Sequence, residues 1–462
     1  MSGIRINKPD SNPISSDACG ANTLKPPQEI SIFNKLPDAT TEQADTPPPK
    51  KSSNHDDRRY IDRLPNRNNE KEPPIVSYCK NFLGIYFTGE DAADKAKEYL
   101  KSLSDNTKPR TTQSISSEGL ERKINTITVT SNVEETAPGT IEELKRIGEE
   151  VGFTVQTADT YDIWLEDPYI RRHDGKVLVS DLTKNNKYAF RSQANAVSEL
   201  RGNISTGVQG RVSEGSNYKE YIKLIPDEDR VVGKSYLEGG NVLNHRSSDE
   251  SPAAIIGEES IGYTLAIMEL EDTPENREIA QAQIAEDLGL PKENVTFIRQ
   301  FDFHIDMWYR PLQNGVVAAP DFDSAIDMVA EILQDPELED SKKEDLEKLN
   351  EGLQEMKILA SQHANEAEDK LKQAGYKIIK APSFAVTPNI PDVMHINYMN
   401  GVGGTADNGE TYYITNTSGI PQLDDKIEQY LKDNANIDKT YFTPTNTLLK
   451  KMGGLDCITQ EN

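Results

Sequence analysis

Four short stretches of the sequence hold residues whose chemical types could work together. They carry a cysteine, a histidine, several carboxylates and a tryptophan, and they cover residues 163–167, 237–241, 303–307 and 453–460. A thiol can act as a nucleophile, and a histidine can act as a general acid or base. Each stretch taken alone also fits an ordinary structural role, so their combination has to carry any functional prediction.

Cys457 follows shortly after a pair of glycines, Gly453 and Gly454. Such a pair lets the backbone turn tightly and brings the thiol close to a ligand. This placement suits a catalytic nucleophile. A single cysteine is also often a small buried hydrophobic residue, and Cys457 alone does not decide between the two.

His304 and Asp306 lie two residues apart in an apolar and aromatic run. In a β-strand both side chains would point to one face, with Ile305 and Met307 directed into the core. A base and an acid would then share one wall of a site. The structural alternative is a histidine that pairs with a neighbouring carboxylate inside a packed sheet.

The other two stretches give weaker signals when each is read alone. Glu238 precedes two glycines, which remove side-chain bulk where a ligand or another backbone segment could approach, although such pairs more often mark turns. Trp164 and Asp167 stand before Pro168, and an aspartate before proline is also typical of a turn.

The elements that must position these residues follow an α/β pattern from Ile75 onward. A strand is predicted over 124–130, and Thr140 to Glu143 form a capping-box pattern that opens a helix ending at Gly152, before a strand over 153–155. Helices predicted over 276–288 and 422–431 are each followed by a strand, over 295–298 and 440–443. The pattern indicates a repeated strand and helix module.

Two segments stand apart from this module. Residues 1–75 are rich in Pro, Ser, Asn, Asp and Lys, which predicts a disordered leader: a linker or flexible tail, or a non-cleaved export signal of a bacterial effector. Residues 340–375 carry apolar residues at three- and four-residue steps and predict one long amphipathic helix. This helical insertion either packs its apolar stripe on the main domain or forms a dimerisation or partner-binding arm.

Composition excludes several classes of function. The 462 residues include 51 Lys and Arg against 77 Asp and Glu, a formal net charge of -26, which disfavours nucleic acid and anionic membranes and favours a cationic substrate. No run of apolar residues is long enough for a membrane span. The three cysteines and six histidines lack metal-ligand spacing, so we expect no metal. We expect a soluble protein, cytoplasmic or secreted through the leader.

Taken in order, the four stretches resemble signatures of the guanidine-modifying, or pentein, superfamily, and those of agmatine deiminases are nearest. That family has a Trp-x-Arg-Asp-x-Gly-Pro run, a Glu-Gly-Gly run, a Gly-His-Ile-Asp run with Arg four residues later, and a Cys-Ile-Thr-Gln ending. The matching stretches here are 164–168, 238–240, 304–310 and 457–460. A run at 395–400 resembles a substrate-side loop of the family without indicating a role.

The sequence departs from the agmatine deiminase signatures in its first stretch. Glu166 stands where that family has Arg, and the Gly before Pro168 is missing. The stretch from Trp164 to Asp167 is therefore also similar to the Trp-x-x-Asp run of protein-arginine deiminases. A small guanidino molecule and a protein arginine both remain candidate substrates.

The resemblance implies a five-bladed, pseudo-symmetric α/β propeller for the catalytic domain, residues 76–462, with the site at its central axis. It implies that Cys457 attacks the guanidinium carbon, that Asp167 and Asp306 bind the guanidinium, and that Trp164 contributes to substrate binding. His304 is implied as the proton donor and acceptor, with Glu238 orienting it. No cofactor is implied.

Hydrolytic deimination to a ureido product and ammonia is the reaction expected from this resemblance. Amidino transfer and dimethylarginine-type hydrolysis are alternatives within the superfamily. A guanidinium-binding module, or a scaffold that uses the long helix, is the non-enzymatic alternative. A homo-oligomer is also possible.

Overall fold

The computed structural model describes residues 117–158, 163–167, 169–179, 225–268, 270–301, 304–385, 393–451 and 453–461. The predicted leader over 1–75 lies outside these residues, as do Cys19 and Cys79. No helix in the described part of the chain is both long and apolar enough to cross a membrane.

The described strands are short and number fifteen. They are β1 (Thr126–Thr130), β2 (Thr154–Ala158), β3 (Tyr169–Arg171), β4 (Val177–Val179), β5 (Arg230–Val232), β6 (Val242–Arg246), β7 (Pro252–Gly257), β8 (Val295–Ile298), β9 (Arg310–Pro311), β10 (Val316–Asp321), β11 (Lys377–Pro382), β12 (Val402–Thr405), β13 (Thr411–Asn416), β14 (Lys439–Thr443) and β15 (Gln460–Glu461).

The helices vary more in length. Those described are α1 (Val133–Thr136), α2 (Thr140–Val151), α3 (Glu259–Ile267), α4 (Pro274–Leu288), α5 (Phe322–Ile332), α6 (Asp340–Gln373), α7 (Pro421–Ala435), α8 (Asn446–Leu449) and α9 (Leu455–Ile458). Single 3₁₀ turns cover Asp227–Asp229, Gly239–Asn241 and Lys292–Asn294.

The strands form five three-stranded sheets of one topology. In each sheet an outer strand runs antiparallel to the middle strand, which runs parallel to the third, as in β6-β7-β8, β9-β10-β11 and β12-β13-β14. Parallel neighbours need a crossover, and helices supply it in these three sheets. The predicted α/β class and the repeated strand and helix module are confirmed.

One of the five sheets joins distant parts of the chain. Strand β15 pairs antiparallel with β1, with Thr128 opposite Gln460, and β1 pairs parallel with β2. The backbone that follows Cys457 is thereby fixed against the first described strand.

Helix α2 begins in a different way from the predicted capping box. Its N-cap is Gly139, and Thr140 is the first helical residue, with its hydroxyl donating to the Ala137 carbonyl at 2.7 Å. The carboxylate of Glu134 accepts from the backbone N–H groups of Gly139 and Ile141, at 2.7 Å each. A side chain from the preceding turn thus satisfies the free N–H groups, and the capping-box prediction was wrong. Gly152, at φ 103°, ends the helix as predicted.

Two further helices run slightly longer than their predicted ranges. Helix α4 begins at Pro274 after the N-cap Thr273, whose hydroxyl accepts from Asn276 N. Helix α7 begins at Pro421 and ends at Ala435, and the next residue, Asn436, adopts the left-handed conformation at φ 54°. Proline at a first helical position and a left-handed residue past the end are common boundary devices.

The predicted long amphipathic stretch is helix α6, the second crossover helix between β10 and β11. It contacts α5, β8 and β11. Its apolar stripe is buried in the largest hydrophobic cluster and includes Leu346, Leu349, Leu353, Met356 and Ala360. The chain therefore covers this stripe itself.

We predict that Leu353→Ala in α6 lowers the free energy of unfolding by about 2–5 kcal/mol, because it leaves a cavity in a fully buried site. Urea unfolding followed by circular dichroism measures the effect. Ile358 lies on the same helix with 79% of its surface exposed, so Ile358→Ala should change stability by under about 0.5 kcal/mol. Equal losses in the two variants would contradict the packing described for α6.

Candidate catalytic site

The segment that follows residue 303 folds as a turn, and the strand predicted for His304 to Met307 is absent from this described segment. The backbone N–H groups of Ile305 and Asp306 both donate to the Gly240 carbonyl, at 3.0 Å each. Tertiary contacts have replaced a sheet ladder here. Ile305 still lies in the core as predicted.

This turn packs against the Glu238-Gly-Gly run. A Cβ atom on Gly240 would overlap the His304 ring, and one on Gly239 would overlap the Glu166 backbone. Glycine is needed at both positions because another chain segment approaches closely. The Glu238 and His304 motifs thus form one structural unit, although 66 residues separate them.

His304 is fully buried and lies between two carboxylates. Its Nε2 is 3.1 Å from Glu238 Oε2 and 3.8 Å from Asp167 Oδ1. The Tyr236 hydroxyl donates to the other oxygen of Glu238 at 3.0 Å. Hydrogen bonds in such a dry environment hold the imidazole in one orientation.

Cys457 lies in the one-turn helix α9 and is 1% exposed. Its Sγ donates to Asp306 Oδ2 at 3.3 Å. The sulfur, a ring nitrogen of His304 and a carboxylate oxygen of Asp306 all lie within 4.8 Å of one another. The structure therefore brings together a thiol, an imidazole and a carboxylate from two of the four stretches.

The glycines before α9 allow close packing around the thiol. A Cβ atom on Gly453 would overlap the Trp164 ring, and one on Gly454 would overlap the Asn400 amide. Trp164 and Cys457 share one buried hydrophobic cluster. The remaining predicted stretch, which contains Trp164, is thus also assembled around Cys457.

Asn400 is a neighbour of the thiol to which the sequence assigned no role. Its Nδ2 donates to Asp306 Oδ2 at 2.5 Å and to Cys457 Sγ at 3.4 Å, and the residue is fully buried. The resemblance of 395–400 to a substrate-side loop was the available signal. It did not single out Asn400, because the contacts join segments that are 57 and 94 residues apart.

A buried ion pair joins the segment of His304 and Asp306 to that of Cys457. Arg310 Nη1 donates to Asp456 Oδ2 at 2.5 Å and lies 3.6 Å from Glu118 Oε2. Arg310 is four residues from Asp306, and Asp456 adjoins Cys457. Asp456 is 3% exposed, so this ion pair lies inside the protein.

Several carboxylates crowd beside this ion pair. Carboxylate oxygens of Glu166, Asp306 and Asp456 lie within 4.8 Å of one another. Glu118, Glu166 and Asp456 also line a cavity of about 50 Å³, which has room for a few water molecules. Carboxylates this close cannot all ionise without a compensating cation.

Burial is the largest influence on these acids, and it raises their pKa values. The pKa of Glu118 rises to about 8 and that of Asp456 to about 7, even though Arg310 acts to lower both. The pKa of Asp306 is also raised by burial, and that of Glu166 is raised well above its usual value by burial and by neighbouring carboxylates. The region therefore favours an incoming proton or cation near neutral pH.

These shifts predict how stability depends on pH. Glu118 and Asp456 bind protons more tightly in the folded chain than in the unfolded chain, whose values are near 4.5 and 3.8. Their contribution to stability is therefore largest at low pH and is lost as pH rises from about 4 to about 8. We expect Glu118→Gln to reduce this decline, as measured by thermal midpoints between about pH 5 and about pH 8.5. The exposed Glu142→Gln should follow the wild type, and parallel curves for all three proteins would contradict the assignment.

No protein-family model matches the sequence, and no curated protein is significantly similar to it. Among solved structures, the chain is similar to agmatine deiminases. An agmatine deiminase of C. jejuni is 14% identical, with a TM-score of 0.43 over 75% of this chain and 94% of that chain. An agmatine deiminase of Enterococcus faecalis is 13% identical, with a TM-score of 0.41 over 77% and 99%.

An arginine dihydrolase from the ornithine-ammonia cycle in cyanobacteria is also similar. It is 12% identical, with a TM-score of 0.34 over 73% of this chain and 40% of that chain. Sequence identities and TM-scores this low do not indicate an activity for this chain.

Proposed function

We propose that this chain is a guanidine-modifying hydrolase of the pentein superfamily, which converts a guanidinium group and water to a ureido group and ammonia. The observation that carries the proposal is the convergence of Cys457 Sγ, His304 and Asp306 within 4.8 Å, with Glu238 against the histidine. A thiol, a positioned imidazole and buried carboxylates are the groups that this reaction needs.

The acidic surroundings suit a guanidinium group, which is planar and permanently cationic and offers N–H donors in a fixed fork. Asp306 and Asp167 supply carboxylates near the thiol and the imidazole. In the proposed complex each accepts N–H bonds from the substrate, which holds the guanidinium carbon in line with Sγ. Trp164, which belongs to the same buried cluster as Cys457, forms a wall of the site in this proposal.

The proposed reaction runs in two halves. The thiolate of Cys457 forms an S–C bond to the guanidinium carbon, whose C=N electron pair moves to nitrogen. A C–N bond then breaks as His304 gives a proton to the departing nitrogen, which leaves as ammonia. In the second half His304 removes a proton from water as the water attacks the same carbon. The S–C bond breaks, which releases the ureido product and the thiol.

The propeller arrangement belongs to the same proposal. Five sheets of identical topology suit five blades, and the pairing of β15 with β1 suits a ring whose last blade combines both ends of the catalytic domain. A central site in such a ring draws its residues from loops of different blades. The segments at 164–167, 238–240 and 304–306, together with the one-turn helix that carries Cys457, would be such connections in the proposed ring.

The substrate is either an agmatine-like small molecule or a peptidyl-arginine. Amidino transfer, in which an amine in place of water resolves the adduct, and dimethylarginine-type hydrolysis use the same first half-reaction. A guanidinium-binding module would need the carboxylates but not a thiol, so the contact of Cys457 with Asp306 favours catalysis over binding.

We predict that the purified protein releases ammonia from at least one guanidino compound without an added amine. The panel comprises agmatine, free arginine, methylated arginines and an arginine-containing protein. Cys457→Ala should reduce the rate at least about 1000-fold, because no covalent adduct can form.

Three outcomes would contradict this proposal. Ammonia release by Cys457→Ala at the wild-type rate would exclude the covalent mechanism. A reaction that occurs only with an added amine would indicate amidino transfer. Binding of a substrate, seen by calorimetry, without turnover in any arm would indicate a binding module.

A further inference from the structure

Asn400 contacts both the thiol and the carboxylate beside it. Its Nδ2 is 2.5 Å from Asp306 Oδ2 and 3.4 Å from Cys457 Sγ. The group is uncharged, and its residue has no exposed surface. A neutral donor is therefore fixed between a carboxylate and a thiol, which are both negative once Cys457 and Asp306 are ionised.

The orientation of this amide follows from its other contact. The backbone N–H of Asp456 donates to Asn400 Oδ1 at 3.0 Å. A backbone N–H can only donate, so the side-chain oxygen of Asn400 must face it. The NH₂ group therefore has to face Asp306 and the sulfur.

Neighbouring asparagines prevent Asn400 from moving away. Its backbone N–H donates to Asn397 Oδ1 at 3.0 Å, and its carbonyl accepts from Asn416 Nδ2 at 2.9 Å. Asn416 also accepts from Leu455 N at 3.1 Å and from the Thr445 hydroxyl at 2.6 Å. The loop that carries Asn400 is thereby joined to the helix that carries the thiol, so the donor is positioned before any substrate binds.

We propose that Asn400 is a catalytic residue whose amide stabilises the thiolate form of Cys457 and offsets its repulsion by Asp306. The inference rests on the proposed function, because it takes Cys457 as the nucleophile. A thiolate at 3.3 Å from a carboxylate is disfavoured by like charge, and a hydrogen bond to the charged form opposes this effect. A hydrogen bond to a charged group is worth more than one between neutral groups.

The test measures the ionisation of Cys457 directly, without a deiminase substrate. The rate of Cys457 alkylation by iodoacetamide is followed against pH by peptide mass spectrometry, with Cys457→Ala showing the background from other thiols. In Asn400→Asp the donor is replaced by an acceptor of the same shape. We expect the midpoint of the alkylation profile to rise by about one pH unit or more.

Tyr376→Phe is the matched control, because it removes a buried hydrogen bond, that of its hydroxyl to His245 Nε2, which is not among the contacts that hold Asn400 or Cys457. Its midpoint should equal that of the wild type. An unshifted midpoint in Asn400→Asp, or an equal shift in Tyr376→Phe, would overturn the inference. Asn400→Ser is measured beside it, because serine is too short to contact the sulfur and, unlike aspartate, adds no negative charge. A wild-type midpoint in Asn400→Ser would likewise overturn it.

The two proposals fail in different ways. A shifted midpoint in a protein that releases no ammonia from any guanidino compound would reject the deiminase and leave the role of Asn400 in thiol ionisation. Normal ammonia release with an unshifted midpoint would reject the role of Asn400 alone.

Discussion

The buried ion pair between Arg310 and Asp456 is the interaction on which the arrangement of the site depends. It links the turn that carries His304 and Asp306 to the helix that carries Cys457, segments about 150 residues apart in the chain. Removing one partner of such a pair leaves an uncompensated buried charge, which typically lowers stability by about 3–5 kcal/mol. Asp456 is next to Cys457 in the sequence. Its ion pair with Arg310 therefore also holds Cys457 Sγ close to Asp306.

Electrostatics around this pair set the character of the site. Glu118, Glu166, Asp306 and Asp456 are drawn into a region where burial makes ionisation unfavourable, and one buried arginine offsets part of their charge. The remaining excess of negative charge can be balanced by protons or by a cation. A guanidinium group balances this negative charge, because it stays positively charged at every physiological pH.

Close backbone approach is the second requirement of the site. Gly239, Gly240 and Gly453 each stand where a side chain would overlap a neighbouring segment. For Gly239 and Gly240 the sequence allowed both a turn and the close approach of another segment, and the structure shows the close approach. By allowing Glu238 to approach His304, and the α9 helix to approach Trp164, they gather four distant stretches into a volume a few ångströms across.

The sequence by itself determined the α/β module and the boundaries of α4 and α6 to within two residues, and it singled out the four motifs that the structure brings together. Helical periodicity and terminal residues are local signals, and the four motifs keep their residue types wherever the chain places them. Only the tertiary structure decided that the His304 segment is a turn, that Glu134 caps α2, that Asp456 is buried, and that Asn400 contacts the thiol. Each of these features depends on a contact with a residue in another segment. The periodicity within one segment does not show which residue that will be.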